Sequence, residues 1–97
     1  MSTYHDAVRV ARDLLGAEVL PDDIEDAVRC DESFVELALA REQLRRARRA
    51  ALTRSRETEI QSAIETVDDL ALDRLVEILG SDEILRIMHE SYPEGAA

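Results

Sequence analysis

Lysine, asparagine and tryptophan are absent from this chain of 97 residues, and aromatic side chains are confined to Tyr4, Phe34 and Tyr92. With so few rings, a core must be assembled from leucine, isoleucine, valine and alanine, which suits packed helices. Lysine and asparagine share AT-rich codons, so a GC-rich genome accounts for both absences, and they carry no functional weight. Cys30 is the single cysteine, which excludes an internal disulfide and agrees with a reducing compartment. No apolar run approaches the roughly 20 residues that span a bilayer, and Met1 to Arg12 lack the apolar stretch of a secretory signal. The expectation is a cytoplasmic protein.

The same scarcity limits the chemistry. Phosphate-cradling loops need clustered glycines, and the three glycines here are isolated. A zinc site needs several cysteines or histidines at ligand spacing, whereas His5, Cys30 and His89 are far apart. Around Cys30, only Arg29 supplies an activating charge, so the thiol reads as buried or half-buried and inert. No catalytic residue, cofactor or metal is assigned. Asp22-x-x-Glu25-Asp26 and Glu65-x-x-Asp68-Asp69 weakly resemble the paired acidic motifs of all-α nucleotide pyrophosphohydrolases. They fall on faces opposite the apolar stripes, and no lysine or aromatic base-binding partner accompanies them. A carboxylate enzyme using Mg²⁺ is therefore the least favoured reading.

What remains is helical pattern. Glycine and proline stand between or after the helical segments, where they mark ends. A first helix starts at Ser2 or Thr3 and runs to Leu15, burying Ala7, Val8, Ala11, Leu14 and Leu15, with Gly16 as its stop. Pro21-Asp22-Asp23 opens a short helix that ends near Cys30 and buries Ile24, Ala27 and Val28. Asp31 or Ser33 caps a longer helix to about Thr53, with a seam of Leu37, Ala40, Leu44, Ala47 and Ala51. Ser55 caps the next, striped by Ile60, Ala63, Ile64, Val67, Leu70, Ala71, Leu75 and Ile78, and it stops at Gly80. A break near Asp68 would make residues 70–79, apolar on nearly every side, a separate and more deeply buried helix. Ser81 caps a last helix through Ile84, Leu85, Ile87 and Met88, and residues 94–97 form a frayed tail. The expected fold is all-α: one domain, a bundle of four or five helices built on a long antiparallel hairpin over about residues 32 to 79.

Charge is distributed unevenly over this framework. Residues 1–40 carry three arginines and ten acids, residues 41–56 seven arginines and one acid, and residues 57–97 two arginines and eleven acids. The total is −10. The preferred reading is that the hairpin neutralises itself, with Arg49, Arg45 and Arg41 facing Glu59, Glu65 and Asp68. Such exposed pairs are worth about 0–1 kcal/mol each and set register more than stability. Direct nucleic-acid binding by the arginine island is disfavoured by the acidic total and by the lack of interleaved aromatic side chains.

The acidic surface left over can dock on a basic surface of a partner protein, such as that of a nucleic-acid-handling complex, because complementary potentials steer association. Solubility alone also accounts for such a surface. The functional expectation is a non-enzymatic acidic regulator or inhibitor, of a size and charge shared by phage-encoded inhibitors and small antitoxins. Its partner-binding residues are Asp22, Asp23, Asp26 and Glu32 on the acidic arm and Arg45, Arg48 and Arg49 on the basic island. The alternative is a self-assembling homodimer that buries the alanine seam and residues 70–79 between copies.

Overall fold

The computed structural model of the chain describes residues 3–91; the expected frayed tail lies outside them. Five helices follow in order: α1 (Thr3–Leu15), α2 (Asp22–Cys30), α3 (Glu32–Arg49), α4 (Arg54–Leu79) and α5 (Ser81–Ser91). No strand occurs among the described residues. The fold is the expected all-α bundle on a helical hairpin, with α3 and α4 as its two long helices.

Each junction has a local cause. At Gly16 (φ 69°) the Ala17 amide donates to the Arg12 carbonyl and the Gly16 amide to that of Asp13, a Schellman closure that requires the left-handed conformation. Asp31 ends α2 and begins α3 at once: its amide donates to the Val28 carbonyl, and its carboxylate accepts the Phe34 amide at 2.8 Å. Thr53, not Ser55, caps α4, its Oγ1 accepting the Arg56 amide at 3.2 Å. Consequently α3 stops at Arg49, short of the expected Thr53, and residues 50–53 make the turn. Gly80 (φ 88°) closes α4 by donating to the Val76 carbonyl, and Ser81 is the first helical residue of α5 and does not cap it.

One core joins α1, α2, the first half of α3, the second half of α4, and α5. Phe34, the largest fully buried side chain, sits in it with Val10, Leu15, Leu20, Val28 and Leu75. On α3 the buried residues are Phe34 and Ala38. The expected seam is half-buried at Leu37, Ala40, Leu44 and Ala51 and exposed at Ala47, because α1 and α2 cover a neighbouring face of the helix. Val10 is also buried, since α1 touches all four other helices and is covered on more than one side.

No break occurs near Asp68. α4 is one helix of 26 residues, and its second half is not sunk in the core on every side: Leu70 is 51 % exposed, with Leu72 and Val76 also partly exposed.

Beyond the bundle the hairpin continues as two helices alone. Ile60 and Ile64 are its buried contacts there, and the fold is flattened, 42 × 35 × 22 Å. Arg41 with Asp68 (2.6 Å) and Arg48 with Gln61 Oε1 fix one antiparallel register centred on residues 54 and 55. That register is the expected one, yet only Arg41 finds its anticipated acid. Ile60 and Ile64 occupy the inward face of α4, which leaves Glu59 and Glu65 exposed. Glu59 instead pairs with Arg56, and the closest acid to Arg45 is Glu42, at 4.0 Å on its own helix.

Candidate functional site

Two surfaces of opposite charge lie at the two ends of α3. At its start, the α2–α3 junction encloses an open groove of about 810 Å³ lined by Asp26, Arg29, Cys30, Glu32, Val35 and Glu36. Asp31 orients the two helices that form it. Arg74 of α4 grips the Asp31 carboxylate with two hydrogen bonds, Nε to Oδ2 at 2.9 Å and Nη2 to Oδ1 at 2.6 Å. That grip, assisted by the Phe34 amide, lowers the Asp31 pKa below the usual carboxylate value despite the opposing effect of burial. The Arg74 pKa is raised by the same bond, with Glu77 contributing at 2.7 Å.

Asp26 and Glu32, two of the acids singled out in the sequence, both line this groove and are exposed. Asp22 and Asp23 do not line it. They are exposed in the first turn of α2, where negative charge also favours the helix start. Sequence reasoning did not assign Arg29, Cys30, Val35 or Glu36 to a site. Glu36 stands one turn after Glu32 on α3, so the spacing of four was the available signal. Arg29 is engaged by Glu25 at 3.4 Å and Asp26 at 3.2 Å, whereas Glu32 and Glu36 have no ion-pair partner among the described residues.

The basic residues singled out stand at the far end. Arg45 and Arg48 are half-buried, and Arg48 donates to Gln61; Arg49 is exposed. Arg46, Arg49 and Arg54 have no ion-pair partner among the described residues, so the expected self-neutralisation of the island is incomplete. The acidic and basic sets are not brought together within the molecule. From Phe34 to Ala50 the helix rises about 24 Å at 1.5 Å per residue.

Among the described residues no three His, Cys, Asp or Glu side chains gather so that they could hold a metal ion. Asp68, from the second acidic motif, is bound to Arg41, which also approaches Asp13 at 3.5 Å. Cys30, expected to be buried or half-buried, is exposed on α2, whose buried face carries Ile24 and Val28, and His89 is exposed on α5. Among the described residues, no helix is long and apolar enough to cross a membrane. Compared with known proteins, the chain matches no family model, no curated protein and no solved structure.

Proposed function

We propose that the protein is a non-enzymatic interaction module, an acidic helical regulator or inhibitor that docks its α2–α3 face on a basic surface of a partner protein. One observation carries this reading: the groove keeps Glu32 and Glu36 exposed and, among the described residues, unpaired, while its own base, Arg29, is already held by Glu25 and Asp26. Negative charge is thus available to a partner without breaking an internal bond, and Val35 adds apolar contact beside it. A basic surface of a nucleic-acid-handling complex has the complementary chemistry.

The test is affinity capture from a lysate, with washes at low and high salt. The wild-type chain is expected to retain a basic partner at low salt and release it at high salt. The variant Asp26→Asn/Glu32→Gln/Glu36→Gln is expected to lose it while keeping its helical circular dichroism. Undiminished capture by that variant would overturn the reading.

Self-assembly is the second reading, favoured by the exposed Leu70, Leu72 and Val76 of α4 and Leu85 and Met88 of α5. A monomer mass by light scattering would remove it.

A further inference from the structure

The hairpin tip offers a surface that the chain's own bundle does not cover. Leu52, at the turn, is 98 % exposed. The unpaired Arg46, Arg49 and Arg54 belong to the same end of the hairpin, and an open recess of about 480 Å³ lies between Ala47, Ala51, Leu52 and Ile60. The groove at the other end of α3 is acidic on balance, with Val35 and Cys30 among Asp26, Glu32 and Glu36 and with its one base, Arg29, held by Glu25 and Asp26. The tip thus joins an exposed leucine and a mainly apolar recess to three unpaired arginines of the same hairpin end, while the groove sets Val35 beside the unpaired carboxylates of Glu32 and Glu36.

We propose that the basic hairpin tip of one copy docks in the acidic α2–α3 groove of a second copy, head to tail, with Leu52 seated against Val35. The proposal rests on the reading of the groove as a docking surface and names its occupant. The tip cannot reach its own groove, because α3 is an unbroken helix that holds the two about 24 Å apart. Guanidinium groups match carboxylates in geometry as well as charge, so the unpaired Arg46, Arg49 and Arg54 are suited to this acceptor, while Glu59 of the same end is already held by Arg56. A polyanionic nucleic acid would meet repulsion from the remainder of a chain whose net charge is −10. Two copies also repel at long range, but at about 0.15 M salt the screening length of roughly 8 Å suppresses that repulsion more than it weakens charges in contact. Each docked copy leaves one tip and one groove free, so the contact is heterologous and extends with concentration.

Sedimentation velocity tests this with the full chain and two variants at exposed positions: a tip variant, Arg49→Glu/Leu52→Asp, and a groove variant, Glu32→Gln/Glu36→Gln. Circular dichroism and melting confirm that each is folded. The wild-type mass is expected to rise with concentration near physiological salt and to fall toward 1 M. Each variant alone is expected to associate at least tenfold more weakly, while their equimolar mixture forms a dimer and nothing larger, since it contains one intact tip for one intact groove. A wild-type chain that stays monomeric overturns the proposal. So does a variant that assembles as the wild type does, which would place the contact on the apolar α4–α5 surface, or a mixture that yields no dimer. Binding of a DNA or RNA oligonucleotide by a monomeric chain, lost in the tip variant, would overturn it in favour of a phosphate ligand. Lysate capture by the groove variant separates the two readings: if self-association fails but this variant loses its partner, the docking surface stands and only its occupant is wrong.

Discussion

Asp31 does three jobs from one position. It ends α2, caps α3 through the Phe34 amide, and receives Arg74 from a helix 43 residues away in sequence. Removing different parts of the side chain separates these contributions. Asp31→Asn keeps a good capping group but loses the ion pair; Asp31→Ala loses both, the cap alone being worth about 0.5–2 kcal/mol. Urea unfolding at neutral pH is expected to rank wild type above Asp31→Asn and Asp31→Asn above Asp31→Ala. The acid side follows from the lowered pKa of Asp31: the folded state favours the carboxylate, so the ion-pair stabilisation is complete above the ordinary carboxylate pKa and is lost as pH falls through the lowered one. The gap between wild type and Asp31→Asn should therefore be constant from pH 7 to about 5 and shrink as the pH falls below the ordinary carboxylate range. A gap that persists unchanged in acid would show that the Arg74 pair is not its source.

At the level of elements, stability is expected to be uneven along the hairpin. Its root, with Phe34, Ala38, Ala71 and Leu75, is buried in the main core, while its outer half rests on Ile60, Ile64 and half-buried alanines. Amide hydrogen exchange should accordingly be faster in residues 43–62 than in the inner turns of α3 and α4; equal protection would mean that the hairpin opens only with the bundle. The helices themselves were legible in the sequence because Gly16, Pro21, Asp31 and Gly80 are strong end signals. The end of α3 was not, since Ala50-Ala51-Leu52 continues an apolar pattern and only the three-dimensional turn decides between Thr53 and Ser55 as the cap. The break near Asp68 was suggested by apolar density at residues 70–79, but density does not say which faces have partners. Asp26 and Glu32 were recognised as surface acids from charge alone. Their meeting with Val35 and Cys30 in one groove depended on the angle between α2 and α3, which the Asp31–Arg74 bond helps to set and no local pattern encodes.

For the whole molecule, charge is separated along α3, with unpaired acids at its start and unpaired arginines at its end among the described residues. Asp68 is committed to Arg41 and no three ligands gather among the described residues, so millimolar Mg²⁺ is expected to leave the melting temperature unchanged. A clear rise would revive the carboxylate-enzyme reading. The unbroken α3 also makes the hairpin a ruler with a phase. An α-helix turns about 100° per residue, so the direction in which Leu52 points is tied to the direction in which the groove opens. Matched insertions of seven residues in α3 and α4 would lengthen the arm by about 10 Å and return the tip to within about 20° of its bearing. Matched insertions of five would turn it by about 140°, toward the opposite side. Successive copies joined by such an arm would trace a helix whose pitch and handedness are written in the number of residues between Phe34 and Leu52.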